Sequence, residues 1–284
     1  MTEATFQKSQ DRGETVPPRA PMRQPLQSMK FRGLKTRIQR VLGRLGYEIH
    51  KTRPNTVPIN ILPMLIQHRL ETRDPSTPFF FVDVGANNGV TGDPMHKYVQ
   101  AYHWRGIFVE PQPRLFAQLV QNYRGEPQLI FENAALACMD GSSILYAFKQ
   151  SPDLPAEVSV LASFDRRMLV GNGPGYKGEI EELRVPTLTA RTLLSKHNVS
   201  AIDILQVDTE GFDYEIVRMF LEAGIKPSII HYESACLDAE TLCASLELLT
   251  GNGYRLLTIG VDTIGYLQKD EDDDAFRDRI LGLK

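Results

Sequence analysis

Residues 79–89 read Phe-Phe-Phe-Val-Asp-Val-Gly-Ala-Asn-Asn-Gly, a run of apolar side chains followed by a segment with two glycines. Consecutive apolar residues of this kind are typical of a strand that is buried on both faces, as in a parallel sheet. The strand is expected to end at Asp83 in a turn that contains Gly85 and Gly89, and glycine lets a backbone approach a ligand without a Cβ atom in the way. These residues therefore predict the first strand and the ligand-binding loop of an α/β domain.

A second apolar run, Gly106-Ile-Phe-Val, ends at Glu110, 21 residues after the last of these glycines. This spacing fits a strand–loop–helix–strand unit whose second strand ends in an acid directed at ribose hydroxyls. A dinucleotide fingerprint laid on Gly85 requires small residues where the chain has Asn87 and Val90, which argues against a dinucleotide. An acidic strand end followed by Gly-x-x-x-Gly instead favours a ligand with an amino-acid tail, so we expect S-adenosylmethionine. The alternative is an ordinary tight turn.

Composition is that of an ordinary globular protein. The chain has 284 residues, 42% of them apolar and 24% charged, and a formal net charge of −3. No apolar run approaches the roughly 20 residues of a membrane span, and the N-terminus lacks the apolar segment of a signal peptide. The three cysteines lack zinc-like spacing, and their odd number argues against a disulfide framework, so we expect a cytoplasmic protein.

Charge is distributed unevenly along the chain. Residues 1–53 hold 12 Lys/Arg against 4 Asp/Glu, whereas the remainder holds 20 against 31, so we expect no nucleic-acid partner for the main body. We predict a disordered tail (1–28), a basic amphipathic helix and linker (29–57), a folded domain (58–270) and an acidic C-terminal segment (271–284). The helix within 29–50 is expected to dock on the domain, and the alternative is peripheral contact with a membrane or a partner.

Helices and strands alternate from about residue 58. Strands are predicted at 79–84, 106–110, 128–132, 143–148, 202–207, 228–232, 254–259 and 263–268, with helices between most of them. This alternation predicts an α/β fold with one doubly wound, mostly parallel seven-stranded sheet that ends in an antiparallel hairpin at one edge. Residues 149–185 are predicted to be irregular, and a loop of that length is often functional, such as a lid.

Acidic side chains follow the later strands. Asp208 and Glu210 come directly after one predicted strand, and Glu233 closes the next. In an extended backbone Asp208 and Glu210 point the same way, so we expect both to face the cleft beside the cofactor as catalytic carboxylates. The alternative is that they cap the following helix, on whose surface Asp213 is expected. Glu233 is expected to contact the substrate or to make a structural hydrogen bond.

A metal site is not assigned from the sequence. The histidines and cysteines lack the spacing of a zinc site. One alternative has Asp208, Glu210 and Glu233 holding Mg²⁺, which would lower the pKa of the acceptor.

The segments quoted above, with others further along, resemble the FkbM family of S-adenosylmethionine-dependent methyltransferases. The matching segments are, in order, Val82-Asp-Val-Gly-Ala-Asn-Asn-Gly, Phe108-Val-Glu-Pro-Gln-Pro, Asn133-Ala-Ala-Leu-Ala, Ala162-Ser-Phe, Val185-Pro-Thr-Leu-Thr, Leu205-Gln-Val-Asp-Thr-Glu-Gly-Phe-Asp and Tyr232-Glu233. The resemblance covers roughly residues 58–270. It implies the class I, Rossmann-like methyltransferase fold and methyl transfer, usually to a hydroxyl of a sugar, a glycan or a polyketide-like compound.

The resemblance also implies roles for individual residues. Glu110 is expected to meet the ribose, and Asn133 and Ala134 the adenine. Ser163 and Phe164, in the lid-like segment, are our candidates for substrate binding. The first cofactor loop is matched by Asp83, Gly85, Ala86, Asn87 and Gly89.

Two features depart from the family pattern. Asn88 stands where many relatives have an apolar residue, and Thr91-Gly-Asp-Pro replaces the usual small-hydroxyl start of the first helix. These departures concern the beginning of that helix more than the cofactor.

Two hypotheses of function follow. The first is an S-adenosylmethionine-dependent O-methyltransferase that acts on a hydroxyl of a small-molecule or glycan acceptor, such as a sugar or a natural product. The second is a non-catalytic, cofactor-binding partner subunit that docks through its basic N-terminal helix. Cofactor binding without turnover would favour the second.

Overall fold

The protein is described by a computed structural model over residues 61–155, 158–171 and 178–268. The predicted tail (1–28), the basic helix and linker (29–57) and the acidic C-terminal segment (271–284) lie outside the described residues. Within the described ranges, no helix has both the length and the apolar character that crossing a membrane requires.

The main sheet of the described part has seven strands, numbered here along the chain. They are β1 (Phe80–Val84), β2 (Arg105–Val109), β3 (Leu129–Glu132), β8 (Ile204–Val207), β9 (Ile229–Glu233), β10 (Tyr254–Ile259) and β11 (Asp262–Leu267). Their order across the sheet is β10-β11-β9-β8-β1-β2-β3. The strands from β9 to β3 pair in parallel, whereas β11 is antiparallel to both of its neighbours. The predicted mostly parallel sheet with an antiparallel edge hairpin is therefore confirmed.

Helices cover this sheet. In the described residues they are α1 (Ile61–Thr72), α2 (His96–Tyr102), α3 (Pro113–Asn122), α4 (Arg166–Gly171), α5 (Ala190–Lys196), α6 (Asp213–Glu222) and α7 (Ala239–Gly251). Strand β1 lies in the middle of the sheet, and its residues Phe81 and Val82 are fully buried in two different hydrophobic clusters. Because successive strand side chains point to opposite faces, both faces of β1 are covered. The unbroken apolar run in the sequence follows from that burial.

Asp203 ties α1 to the middle of the sheet. One carboxylate oxygen accepts a hydrogen bond from Arg69 Nε at 3.0 Å, and the other accepts one from the Phe80 backbone N–H at 2.9 Å. The Asp203 side chain is 10% exposed. A partly buried carboxylate that pairs a guanidinium and a strand N–H fixes where β1 begins.

A second, four-stranded sheet takes two of its strands, in whole or in part, from the segment 149–185 that was predicted to be irregular. Its strands are β4 (Ala135–Leu136), β5 (Gly141–Phe148), β6 (Ala162–Ser163) and β7 (Ile180–Leu188), in the order β4-β7-β5-β6. The prediction was wrong for β7, in which Leu183 and Val185 face inward while Glu182 and Arg184 point outward. This alternation is that of a half-buried strand, and long pairing with β5 stabilises it.

Candidate active site

The carboxyl ends of the central strands surround a cavity of about 330 Å³. This volume lies at the lower end of the roughly 300–1,000 Å³ of known ligand pockets. One wall is formed by the ends of β1, β2 and β8, and the facing wall by the second sheet and the segment before α4. The wall residues with the clearest chemical roles are Asp83, Gly85, Ala86, Asn87, Asp93, Glu110, Ala134, Leu136, Leu145, Phe164, Asp208, Glu210 and Phe212.

The turn after β1 touches the end of β8 at Gly85. Its φ is +83°, and a Cβ atom added there would lie 1.8 Å from the carbonyl oxygen of Asp208. The Asp208 N–H in turn donates to the carbonyl oxygen of Val84 at 2.9 Å. Only glycine allows this conformation and this close approach together, so the predicted loop glycine is explained by contact between two strand ends.

Glu110 joins the turns that follow β1 and β2. Its carboxylate accepts hydrogen bonds from the backbone N–H of Asn87 at 2.8 Å and of Gln112 at 2.7 Å. The side chain is 3% exposed, and burial raises its pKa to about 8. Each carboxylate oxygen has a second lone pair, so Glu110 retains acceptors for hydroxyl groups in the cavity. The ends of β1 and β2 therefore line one cavity, and cofactor binding by these residues stays a prediction.

Two of the residues expected at the cofactor support the loops from behind the cavity wall. Asn133 donates from Nδ2 to the carbonyl oxygen of Glu110 at 2.8 Å. Gly89 has a φ of +70°, and a Cβ there would lie 2.5 Å from side-chain atoms of both Leu119 and Tyr123 on and beside α3. Asn133 thus fixes the turn after β2, and Gly89 lets α3 pack against the first loop. Direct contact of these two with a cofactor remains a prediction.

Asp208 and Glu210 both line the cavity, but strand alternation does not bring them together. Strand β8 ends at Val207, and Glu210 has the left-handed φ of +53°. Side chains rarely adopt that conformation, which costs of order 1 kcal/mol or more at a residue other than glycine. The Ser163 hydroxyl donates to the Glu210 carbonyl oxygen at 2.9 Å and holds the turn.

These two carboxylates are electrostatically perturbed. Asp208 is open to the cavity, yet the surrounding protein limits its hydration and raises its pKa to about 6, and the carboxylates of Glu233 and Asp262 add to the rise. Burial raises the pKa of Glu210 to about 7, and Asp208 contributes to that rise. Both groups therefore titrate near neutral pH, as proton acceptors in enzymes often do.

Of the three residues expected to bind substrate, only Phe164 lines the cavity. Phe164 lines the cavity, and its ring packs edge-on against Phe212 with the centroids 5.3 Å apart. Ser163 is 3% exposed and supports the Glu210 turn from outside the cavity wall. Glu233, at the end of β9, also lies outside that wall, although it is close enough to raise the pKa of Asp208. Phe164 is thus the best placed of the three to meet an acceptor.

A carboxylate–thiol cluster beside the cavity has the spacing of a metal site. Single ligand atoms of Glu210, Glu233 and Cys236 lie within 4.8 Å of one another. In the described structure the Cys236 thiol donates to Glu233 at 3.2 Å. A divalent ion would fit this donor set, although the sequence analysis assigned no metal.

Sequence reasoning missed Asp93 and misplaced Asp213. Asp93 lines the cavity next to Asp83, and it belongs to the Thr91-Gly-Asp-Pro segment whose departure from the family pattern was the available signal. Asp213 is fully buried and does not lie on the surface of α6. Its carboxylate accepts hydrogen bonds from the Thr209 hydroxyl and the Gly211 N–H. Burial raises its pKa to about 7.

The sheet order, the ligand cavity at the strand ends and the acid after β2 define a class I, Rossmann-like methyltransferase domain. The model of the Methyltransferase FkbM domain matches residues 83–256 of the chain. The protein belongs to this family, as the sequence resemblance predicted.

The chain is also similar to several solved structures. The FkbM methyltransferase from Methylobacillus flagellatus KT is 11% identical over 70% of this chain, with a TM-score of 0.41, and the match spans 47% of that protein. Precorrin-6y C5,15-methyltransferase from Geobacter metallireducens GS-15 is 11% identical over 77% of this chain and 94% of its own, with a TM-score of 0.39. The N-terminal domain of human METTL16 in complex with SAH is 11% identical over 81% of this chain and 79% of its own, also with a TM-score of 0.39. No curated protein sequence matches the chain significantly.

S-adenosylmethionine, the methyl donor of this family, suits the residues of the cavity. The buried Oδ2 atom of Asp83 has no hydrogen-bond donor among the described residues, so it can receive one from a ligand. Glu110 offers acceptors to a ribose, and Leu136 and Leu145 offer apolar surface to an adenine ring. These residues would hold the cofactor.

Proposed function

We propose that the protein is an O-methyltransferase that transfers the methyl group of S-adenosylmethionine to a hydroxyl of a sugar, a glycan or a natural-product acceptor. The observation that carries the proposal is the position of Asp208. Its carboxylate opens into the cavity, and its backbone carbonyl contacts the cofactor turn at Gly85. A proton acceptor is thereby fixed next to the expected donor site.

Bound S-adenosylmethionine supplies an electrophilic methyl group on a positively charged sulfur. A neutral hydroxyl is a poor nucleophile, so the enzyme gains from removing its proton as the new bond forms. The pKa of Asp208 is about 6, so its carboxylate is mostly ionised at neutral pH and is able to accept that proton. Glu210, with a pKa of about 7, lies on the same wall and is available to pass the proton onward to solvent.

The opposite wall aligns the acceptor and limits the access of water. The rings of Phe164 and Phe212 meet at the cavity wall, and Leu161 and Val160 line it beside them. Alignment of two reacting groups can contribute about 7–11 kcal/mol to a reaction of this kind. These side chains are therefore our candidates for selecting the acceptor by its shape.

The test measures transfer of a labelled methyl group to a panel of sugars, glycans and small alcohols. We expect Asp208→Asn to reduce turnover by about 10²–10⁴-fold while affinity for S-adenosylhomocysteine changes little. Turnover of the wild type should fall as the pH drops through about 6, because Asp208 becomes protonated.

Asp262→Asn is the matched control. Asp262 lies outside the cavity wall, and its negative charge raises the pKa of Asp208. Its removal is expected to shift the pH profile to lower pH and leave the plateau unchanged. Full activity of the Asp208→Asn variant, or cofactor binding without transfer to any acceptor, would refute the proposal; the second result would favour a non-catalytic subunit.

We further propose that the enzyme works in the cytoplasm and that its basic residues 29–50 contact a membrane surface or a partner. All three cysteines of the chain are unpaired, which suits a reducing compartment. The excess of Lys and Arg in residues 1–53 suits an anionic surface. Deletion of residues 1–53 should then abolish binding to anionic vesicles and leave affinity for S-adenosylhomocysteine unchanged.

A further inference from the structure

Two carboxyl groups meet on the cavity wall at Asp83 and Asp93. Asp83 ends β1 and is 2% exposed, and Asp93 precedes α2 and accepts a hydrogen bond from the Met95 N–H at 2.6 Å. Both residues line the cavity, and their side chains contact each other. The Oδ2 atom of each is buried, and no N–H or hydroxyl group among the described residues donates to it. Buried polar atoms without a partner are rare in folded proteins, so these two carboxyl groups must either share a proton or accept hydrogen bonds from a ligand.

The surroundings of the pair are acidic. Asp208 at the end of β8 and Glu110 at the end of β2 face Asp83, and the Tyr123 phenol lies close to both aspartates from behind the loop. Burial, followed by the charge of Asp93, raises the pKa of Asp83 well above its usual range. Burial also raises the pKa of Asp93 to about 7. Two carboxyl groups in contact, facing further acids, therefore share one proton near neutral pH.

We propose that Asp83 and Asp93 together bind the ammonium group of the cofactor's amino-acid tail, and that this ammonium displaces the proton they share. The inference rests on the proposed function, since it concerns the same cavity. An ammonium carries three N–H donors, two of which satisfy the two orphaned Oδ2 atoms. On binding, the shared proton leaves for solvent, the ammonium keeps its own protons, and no covalent bond changes. Asp93 is thus a cofactor-binding residue supplied by the segment that departs from the family pattern.

The test compares two ligands that differ in the tail alone. S-adenosylhomocysteine carries the amino-acid tail, whereas 5′-methylthioadenosine has the same nucleoside and thioether without it. Calorimetric titration of the wild type and of Asp93→Asn gives both affinities. We expect the variant to bind S-adenosylhomocysteine about tenfold to hundredfold more weakly, because it loses a charge-assisted hydrogen bond. Its affinity for 5′-methylthioadenosine should be unchanged, and that ligand also reports whether the variant is folded.

Proton release provides a second readout. Titrations in buffers of different ionisation enthalpy, at about pH 6.5, should show the wild type releasing up to about one proton per S-adenosylhomocysteine bound. The same protein should release none with 5′-methylthioadenosine. Release should vanish only when both carboxyl groups are removed, in Asp83→Asn/Asp93→Asn at saturating S-adenosylhomocysteine, because burial alone keeps a proton on Asp83 in the single variant. If release persisted in the double variant, His96 on α2, or Asp208 or Glu110 in the wall, would be its source, and the assignment would be wrong.

The remaining outcomes are distinct. Unchanged affinity of Asp93→Asn for S-adenosylhomocysteine would overturn the role of Asp93 and leave the methyltransferase assignment intact. Equal weakening of both ligands would show that Asp93 only shapes the loop, and would overturn the role as well. A wild type that binds neither ligand would overturn this inference and the proposed function together.

Discussion

Replacing Gly85 with alanine tests the contact between the cofactor turn and the Asp208 turn. The new Cβ would lie 1.8 Å from the Asp208 carbonyl oxygen, so the ends of β1 and β8 must separate by well over 1 Å to restore ordinary contact. The left-handed φ of +83° adds about 1–2 kcal/mol for a residue with a side chain. Overpacking of this kind costs about 1–3 kcal/mol. We expect a total loss of about 2–5 kcal/mol in the free energy of unfolding.

Gly224→Ala separates the two contributions. Gly224 has a nearly identical φ of +85°, but no atom lies within 4 Å of the position its Cβ would take. That variant should therefore lose about 1–2 kcal/mol from the backbone alone. Urea denaturation of both variants gives the free energies of unfolding, and calorimetric titration with S-adenosylhomocysteine should show binding lost only in Gly85→Ala.

The comparison can fail in one clear way. If Gly85→Ala were destabilised no more than Gly224→Ala and still bound S-adenosylhomocysteine, the two strand ends would not touch in solution. The geometric basis of the site would then be incorrect.

Three other perturbations have defined outcomes. Asp213→Asn should raise the free energy of unfolding at about pH 8 but not at pH 4. The pKa of Asp213 is raised to about 7 in the folded protein, so the wild type loses stability as the pH rises through that value. Urea denaturation across this pH range would contradict the reasoning if both proteins responded alike. Asp203→Ala should cost about 2–4 kcal/mol, because the charge of Arg69 and the Phe80 N–H lose their partner; a loss below 1 kcal/mol in thermal denaturation would argue against a tether. Removal of divalent ions with EDTA should leave turnover unchanged, and a loss restored by Mg²⁺ or Zn²⁺ would instead favour a metal at the cluster around Glu210.

The first half of the main sheet could be predicted because its signals are local. The apolar run of β1, the following turn and the spacing to Glu110 belong to one continuous segment, and the structure brings Asn87 and Glu110 into hydrogen-bonding contact. Burial on both faces makes β1 apolar throughout, so its sequence carries a strong signal. The fold class followed from the same kind of alternation further along the chain.

The second sheet and part of the site depend on contacts between distant segments. Strand β7 exposes Glu182 and Arg184, so its pattern is weak until its pairing with β5 is known. The loop between β1 and α2 folds back so that Asp93 contacts Asp83. No periodic pattern in a sequence predicts that two carboxylates meet across such a loop. Glu210 lines the cavity with its backbone in the left-handed conformation, and nothing in the local sequence predicts that conformation. Long-range packing therefore decides the details that matter most for chemistry.

The contact between Gly85 and the Asp208 carbonyl has a consequence for how such an enzyme can diversify. The turn proposed to hold the donor and the turn that carries Asp208, the proposed base, are in contact at Gly85, so a change that moves either turn disturbs both. Variation in the acceptor is better tolerated on the facing side, where Phe164 and the four-stranded sheet close the cavity. A new specificity would therefore arise by rebuilding the second sheet while the first is left untouched.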